Sequence, residues 1–188
     1  EASVRDTVAE VAARHGRLDV LVTAAGVDLH QRLVDTTITD WTRVLGINLT
    51  GTFLFIKHAA PVMGRNGYGR IVCIGSTSGI LGMGYAAYSA SKAGLLGLVR
   101  SALREFSLSG ITLNVIAPGP TQTPMTDALW QANPARRGQL AAAVPVGRVA
   151  SAAEIADAVA FVASDRAGFI NGAEIVVDGG ITAVVQIK

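Results

Sequence analysis

The chain has 188 residues, half of them hydrophobic and 16% charged, which excludes a disordered protein and favours one globular domain. A net charge of +2 favours neither a nucleic-acid nor a membrane partner, and no apolar run approaches the roughly 20 residues of a membrane span. The single cysteine, Cys73, cannot form an intrachain disulfide, so we expect a reducing compartment such as the cytoplasm. The three histidines lack metal-ligand spacing, and no metal site is expected.

Short runs of Val, Ile and Leu alternate with longer helical patterns along the chain. This alternation predicts one doubly wound α/β domain, in which helices cover both faces of a parallel sheet. In chain order we first predict a helix over 2–15 that ends at Gly16, a strand in "LDVLVTAAG" and a helix over 37–64 that begins at Thr37 and Asp40. A strand in "GRIVCIGS", a helix over 85–108 and a strand in "ITLNVIAPG" follow. The chain then has a partly helical segment over 123–140, a helix over 151–164 with a Ser151–Glu154 capping box, and a last strand in "AEIVVDGG".

Small, turn-forming residues follow three of the predicted strands, at 24–26, 75–76 and 118–119. Sheets of this kind bind ligands at the carboxyl ends of their strands, and small residues let a ligand approach the backbone closely. We therefore expect a ligand site at this edge of the sheet.

The motif "YSASK" places Tyr88 and Lys92 one helical turn apart on one face. An ammonium beside a phenol favours the phenolate, and the pair shares an apolar stripe with Leu95 and Val99, where a lysine is seldom present for packing alone. Ser89 to Lys92 also match Ser-x-x-Lys, but the Lys-Thr-Gly that accompanies this hydrolase motif is absent from the sequence. Ser89 and Ser91 are expected to be bystanders, and Tyr85 a residue of the pocket wall.

Two other polar residues stand where polar side chains need a reason. Ser76 ends the second predicted strand, where its hydroxyl would face the crevice, with Ser78 as a weaker candidate. Asn48 lies in the apolar stripe of its helix and needs hydrogen-bond partners, either as a site residue or as a satisfied core asparagine. The letters of 82–87 match G-x-G-x-x-A, but no strand precedes them directly, so we do not expect a dinucleotide fingerprint there.

With these residues in place, the chain resembles the short-chain dehydrogenase/reductase family, and in particular its 3-oxoacyl-carrier-protein-reductase-like members. The resemblance rests on six segments in order: "LDVLVTAAG", "INLTG", "GRIVCIGS", "YSASKAG", "NVIAPGPTQTPM" and "INGAEIVVDGG". It implies a Rossmann-type doubly wound parallel sheet in a single domain. It also implies that residues 1–188 are the C-terminal three-quarters of that domain, with the N-terminal part of the sheet missing and its edge bare beside "LDVLVT".

The resemblance further implies an NAD(P)-dependent oxidoreductase that interconverts a ketone and a secondary alcohol, with NAD or NADP selected by residues before Glu1. Tyr88 is then the general acid or base, and Lys92 lowers its pKa and holds the nicotinamide ribose. Ser76 hydrogen-bonds the carbonyl oxygen, and Asn48 holds a water that relays protons to Lys92. The implied cofactor-binding residues are Thr23, Ala24, Ala25, Gly26, Ile74, Tyr88, Lys92, Pro118, Gly119, Thr121 and Thr123.

The chain departs from the family pattern at two further places. Thr23 and Ala24 replace the usual asparagines, and the spacing from Ser76 to Tyr88 is one residue shorter than is common, so the loop 79–85 is expected to shape the pocket. A non-catalytic nucleotide-binding or regulatory member of the same fold is the alternative function.

Residues 123–140 are expected to lie over the crevice as a lid. Met125, Leu129 and Trp130 either contact an apolar substrate or pack on the domain. The pair 136–137, two arginines, either binds a phosphate or carboxylate or is solvated, and His30 is a further candidate for substrate contact.

Gly94 and Gly97 lie on the helix of Tyr88 but away from it. They would permit close contact with a second copy in a homo-oligomer, either a dimer or a tetramer, or a close contact within the chain.

Overall fold

The computed structural model describes residues 1–82 and 85–184 and contains the predicted parallel sheet. The strands are β1 (Val20–Thr23), β2 (Gly69–Ile74), β3 (Ile111–Pro118), β4 (Thr121–Gln122), β5 (Ala150–Ser151) and β6 (Glu174–Val177). The sheet has the strand order β1-β2-β3-β6, and a separate pair of parallel strands, β4 and β5, was not predicted.

Helices connect these strands, and their ends lie where capping residues predict them. Gly16 adopts a left-handed conformation, with φ of 74°, and ends the first helix. Ser151 and Glu154 form the reciprocal capping box at the start of the last helix. The helices are α1 (Ala2–His15), α2 (Ile38–Leu45), α3 (Gly51–Gly64), α4 (Ser78–Leu81), α5 (Ala86–Phe106), α6 (Pro124–Ala132), α7 (Pro134–Ala143) and α8 (Ala152–Val162).

Alternate side chains of β2 enter two separate cores, as expected for a sheet covered on both faces. Ile71 and Cys73 pack with α1, α3 and α5 on one face. Val72 packs with α8 on the other face, so the doubly wound architecture is confirmed. The outer side of β1 stays open, and Val20 and Val22 are each 41% exposed, which agrees with the expected bare edge.

The predicted helix over 37–64 is interrupted by a π-helical turn, Gly46–Thr50, between α2 and α3. Such turns occur mostly as insertions into α-helices, and they are frequent at functional sites. This turn contains the buried Asn48, whose backbone carbonyl accepts a hydrogen bond from the Thr52 hydroxyl. A hydrophobic pattern does not distinguish a single wide turn from a regular helix, so the sequence did not predict it.

The segment expected to be a lid divides into α6 and α7, with Pro134 beginning the second helix. The short helix α4 was not predicted either. Residues 83 and 84, which belong to the apparent dinucleotide fingerprint and to the expected pocket loop, lie outside the described residues. Among the helices of the described ranges, none is long and apolar enough to cross a membrane.

Candidate active site

A cavity of about 920 Å³ lies at the carboxyl ends of β1, β2 and β3. Neighbouring parallel strands end at the same edge of the sheet, and so residues far apart in sequence meet there. Three predicted residues, Thr23, Ala25 and Asn48, do not line this cavity. The predicted residues that do are Ala24, Gly26, Ile74, Ser76, Tyr88, Lys92, Pro118, Gly119, Thr121 and Thr123.

Lys92 extends from α5 to the end of β2. Its Nζ atom donates a hydrogen bond to the Ile74 carbonyl oxygen at 2.7 Å, and the residue is only 5% exposed. Burial lowers the pKa of Lys92 to about 8, because the ammonium loses most of its hydration. The Nζ atom lies 5.7 Å from the centre of the Tyr88 ring, close enough for the two predicted partners to share one site.

The pKa of Tyr88 is raised in the structure, not lowered as its neighbour Lys92 led us to expect. Burial is the largest cause, a hydrogen bond with Ser76 opposes it, and the negative charge of Asp28 raises the pKa further. The expectation fails because Lys92 directs its ammonium to a backbone carbonyl while the phenol loses its own hydration. The phenol is therefore held in its protonated form.

Ser76 ends β2 with its hydroxyl at the cavity. Its Oγ atom accepts a hydrogen bond from the Ser78 backbone N–H at 3.1 Å, and its hydroxyl also interacts with the Tyr88 phenol. Both serines line the cavity.

Asn48 joins the loop after β1 to the helix of Tyr88. Its amide nitrogen donates to the Val27 carbonyl at 2.9 Å and to the Ser91 hydroxyl at 3.0 Å, and its Oδ1 accepts from the Val27 N–H at 2.8 Å. Ser91 in turn donates to the Tyr88 carbonyl at 2.7 Å. Asn48 is thus a satisfied buried asparagine that also fixes the position of the site.

The structure corrects the expectation that Ser91 is a bystander, because its hydroxyl joins the Asn48 amide to the Tyr88 backbone. Ser91 is fully buried and follows Tyr88 by three residues, so the two share a helix face. That spacing, applied to the serines of the motif, was the available signal.

The glycines at the carboxyl edge of the sheet differ in how much space surrounds them. A Cβ atom on Gly26 would lie 3.4 Å from Asn48 Oδ1 and 3.5 Å from Lys92 Nζ, which is ordinary contact, so space alone does not require a glycine there. A Cβ on Gly75 would meet Val115, and one on Gly119 would lie 2.8 Å from the Asp178 Cα. These two glycines are therefore needed for packing within the sheet.

The lid separates the two arginines that the sequence left as a pair. Arg137 donates to Gln122 Oε1 at 3.1 Å and lies 5.5 Å from the Trp130 ring, so it stabilises the lid itself. Arg136 lines the cavity. Of the apolar residues of the lid, Trp130 is packed on the domain, since it is only 6% exposed, and it also borders the cavity with Met125.

His30 lines the cavity, as its candidacy required, and packs edge-on against the Tyr85 ring with 4.6 Å between ring centres. Its Nε2 atom lies 3.7 Å from Asp28 Oδ2. Asp28 also lines the cavity and was not singled out in the sequence. The sequence feature that could have indicated Asp28 is its position two residues after Gly26, in the loop that follows β1.

Comparison with known proteins agrees with this geometry. A family model described as "Enoyl-(Acyl carrier protein) reductase" matches residues 1–182. The 3-oxoacyl-[acyl-carrier-protein] reductase MabA of Mycobacterium avium is 45% identical over 173 residues, which are 92% of this chain and 67% of that protein. The chain belongs to the short-chain dehydrogenase/reductase family.

Two solved structures of similar proteins have the same fold. A putative short-chain dehydrogenase/reductase from Burkholderia xenovorans is 37% identical with a TM-score of 0.94, over 98% of this chain and 72% of that one. The protein ElxO with NADP bound is 29% identical with a TM-score of 0.90, over 96% of this chain and 74% of that one.

As a short-chain dehydrogenase/reductase, the chain is an NAD(P)-dependent oxidoreductase that interconverts a ketone and a secondary alcohol. The residues of the cavity fit such a cofactor. The Lys92 ammonium is a donor suited to ribose oxygens, and Ile74 and Pro118 offer apolar contact to a planar ring. The volume of about 920 Å³ leaves room for a substrate beside it.

Proposed function

We propose that Tyr88 is the general acid in ketone reduction and the general base in alcohol oxidation. The observation that supports this most strongly is the convergence of Ser76, Tyr88 and Lys92 on one cavity from β2 and α5. The bound nicotinamide cofactor would supply or accept the hydride. The protein must then hold the carbonyl and move one proton, and the protonated phenol is a suitable donor to the carbonyl oxygen.

Ser76 stabilises the negative charge that develops on the carbonyl oxygen. Its hydroxyl lies at the Tyr88 phenol, where it can donate to the same carbonyl oxygen, and the Ser78 N–H fixes its position. A donor fixed before reaction, in a cavity of low polarity, stabilises such charge more than water does.

Lys92 binds the cofactor ribose and carries a positive charge whose proton it can pass on. With its pKa near 8 and only one backbone acceptor within the described residues, it retains N–H groups for ligand hydroxyls and can pass a proton towards Tyr88. Asn48 acts by position: its side chain holds Val27 and Ser91 in place, which fixes the loop and the helix that face each other across the site.

The remaining cofactor contacts come from the carboxyl edge of the sheet. We assign the adenine side to 23–26 and the nicotinamide side to Ile74, Pro118 and Gly119, with Thr121 and Thr123 on the phosphates. Thr23 and Ala25 would act through the shape of the loop, since only Ala24 and Gly26 line the cavity.

The substrate is a small-molecule ketone or alcohol with an apolar part. Met125, Leu129, Trp130 and Leu140 form an apolar wall on the lid side of the cavity. A 3-oxoacyl thioester, the substrate that the name of the MabA relative implies, would place its acyl chain along this wall.

The assembly is proposed to be a homo-oligomer, a dimer or a tetramer, in the cytoplasm. A Cβ on Gly97 would meet no described atom within 4 Å, so this part of α5 is open to a second copy, whereas Gly94 is explained by contact with Leu49. The cytoplasmic location is supported by the single cysteine, which is buried and free. Residues 1–188 are proposed to belong to a single domain.

The substitution Tyr88→Phe tests the assignment, with Tyr85→Phe as the matched control on the same cavity. We expect Tyr88→Phe to lower turnover of a ketone panel by at least about 100-fold, the contribution of a positioned acid, while nicotinamide fluorescence still reports cofactor binding. Tyr85→Phe should keep most activity. Retention of activity by Tyr88→Phe would refute the role, and cofactor binding by the unaltered protein without turnover of any ketone would favour the non-catalytic alternative.

A further inference from the structure

Arg136 is a cation on the side of α7 that faces the cavity. It precedes Leu140 by one helical turn, and both residues line the cavity. The next residue, Arg137, does not line it and is held elsewhere: it donates to Gln122 Oε1 at 3.1 Å, and its Cζ atom lies 5.5 Å from the centre of the Trp130 ring. Helix geometry therefore directs only the first of these two arginines to the site.

The guanidinium of Arg136 is available to a ligand. Within residues 1–82 and 85–184 it makes no hydrogen bond, ion pair or contact with an aromatic ring, and the residue is exposed, so its N–H groups are accessible. Lys92, the other lysine or arginine that lines the cavity, already donates to the Ile74 carbonyl. The five N–H donors of a guanidinium form a planar fork that matches a carboxylate or a phosphate.

The carboxylate of the cavity does not neutralise Arg136. Asp28 lies 3.7 Å from His30 Nε2, and no ion pair joins Asp28 to Arg136 among the described residues. Burial raises the pKa of Asp28, and Arg136 is the smallest of three causes that oppose this, after His30 and the Leu29 backbone N–H. The positive charge on α7 therefore lacks a countercharge within the described part of the chain, and an anion bound in the cavity would supply one.

The surroundings of Arg136 indicate what else the ligand contains. Leu140 on α7 and Leu129 on α6 form part of the apolar wall on the lid side. Ser76 and Tyr88 border the same cavity from β2 and α5. A substrate that places its carbonyl at the Tyr88 phenol and an anion at α7 therefore has an apolar segment between the two groups.

We propose that Arg136 binds an anionic group, a carboxylate or a phosphate, that an apolar segment separates from the reacting carbonyl of the substrate. Free oxo acids have such a carboxylate, and oxoacyl thioesters of phosphopantetheine have such a phosphate. The inference rests on the proposed function, and it makes Arg136 a residue that determines specificity and takes no part in proton transfer.

The test compares methyl ketones with and without the anionic charge. A series of oxo acids from 4-oxopentanoate to 10-oxoundecanoate is measured beside the methyl esters, and the ratio of kcat/KM for acid over ester is taken at each chain length. A partly exposed, hydrogen-bonded ion pair predicts a ratio of about 10 at the best length and low ionic strength. The ratio should fall when added salt screens the pair.

Variants assign this ratio to one side chain. Arg136→Gln should bring the ratio to about one while changing ester turnover less than about threefold. Arg136→Lys should keep part of the preference, because lysine retains the charge without the planar fork. Arg137→Gln is the matched control, since it removes the same charge from the adjacent position outside the cavity, and it should keep the ratio.

A second pair of substrates identifies the source of the anion. Acetoacetyl-pantetheine is compared with its 4′-phosphate in the same variants. A preference for the phosphate that depends on Arg136 indicates a carrier-bound thioester, and a preference for an oxo acid that depends on Arg136 indicates a free acid. Either result supports the proposal.

Three results would overturn the proposal. One is turnover of the neutral ketones by the unaltered protein with no preference for either anion. Another is a ratio that Arg136→Gln leaves unchanged, or that Arg137→Gln lowers equally, which indicates attraction at long range. The third is an equal loss for charged and neutral substrates in Arg136→Gln with a raised KM for the cofactor, which indicates that Arg136 binds a cofactor phosphate.

A binding measurement separates this proposal from the proposed function. In the Tyr88→Phe background, calorimetry with cofactor present compares each anionic substrate with its neutral counterpart, with and without Arg136→Gln. Preference for the anion that depends on Arg136, without turnover of any ketone by the unaltered protein, supports the binding role and refutes the proposed catalysis. Turnover of all the ketones with a ratio of one refutes the role of Arg136 alone.

Discussion

Ser91→Ala is expected to destabilise the protein, because the Ser91 hydroxyl connects two residues of the site. It donates to the Tyr88 carbonyl at 2.7 Å and accepts from the Asn48 amide at 3.0 Å. Without it one N–H of Asn48 loses its partner, and Asn48 is 1% exposed, so water cannot easily replace the hydroxyl. An unpaired buried donor costs about 1–3 kcal/mol, and the small change in volume adds little.

Ser89→Ala is the matched control, two residues earlier on the same helix. The buried Ser89 hydroxyl has no partner among the described residues, so its removal should cost close to nothing. Urea unfolding at one fixed protein concentration measures both variants, and we expect a lower midpoint for Ser91→Ala with an unchanged m-value. In an Asn48→Ala background the cost of Ser91→Ala should shrink, because the donor is already gone.

The reasoning about Ser91 also predicts an effect on turnover. Loss of the bridge lets the start of α5 shift relative to the loop after β1, so kcat should fall more than the KM for cofactor rises. Equal free energies of unfolding for Ser91→Ala and Ser89→Ala, or no coupling to Asn48, would refute the argument.

Three other predictions follow from charge and space. Asp28→Asn removes a charge that raises the pKa of Tyr88, so the rising limb of the pH profile for oxidation of a plain secondary alcohol should move to lower pH; an unmoved limb contradicts this. The pKa of Lys92 is about 8 in the folded protein and near 10.5 in the unfolded chain. Between these two values the unfolded chain binds more protons, so the free energy of unfolding rises with pH. Lys92→Met should abolish turnover and remove this rise of stability with pH. It should increase the free energy of unfolding at pH 7 by up to about 3 kcal/mol, reduced by roughly 1 kcal/mol because the hydrogen bond to the Ile74 carbonyl is lost. Urea unfolding at several pH values measures both changes in stability. Gly97→Ala should stabilise α5 by about 0.5–1 kcal/mol, unless Gly97 contacts a second copy of the chain. Gly94→Ala should stabilise the helix less, because its Cβ would lie 2.8 Å from Leu49. Light scattering of Gly97→Ala shows whether the oligomer is retained.

The sequence predicted the architecture well, since the relevant signals are local. Runs of β-branched residues gave all four strands of the main sheet, and capping residues such as Gly16 and Ser151 gave helix ends to within a few residues. The short pair β4 and β5 was missed, because two-residue strands have no periodicity to detect.

The candidate site was predicted in its members but not in its contacts. The spacing of "YSASK" placed Tyr88 and Lys92 on one helix face, and both line the cavity. Spacing does not reveal that Lys92 points to a strand carbonyl, or that burial raises the pKa of the Tyr88 phenol. Desolvation depends on every group packed around a side chain, and those groups come from distant parts of the chain.

By itself, the sequence indicated the class of chemistry, because six segments in order resemble the short-chain dehydrogenase/reductase family, whose members are NAD(P)-dependent oxidoreductases. Only the tertiary structure decided which polar atoms are satisfied. It distinguished Ser91 from Ser89, and Arg136 from Arg137. The physical reason is that hydrogen bonding and desolvation are set by distances in space, and adjacent letters in a sequence do not contain those distances.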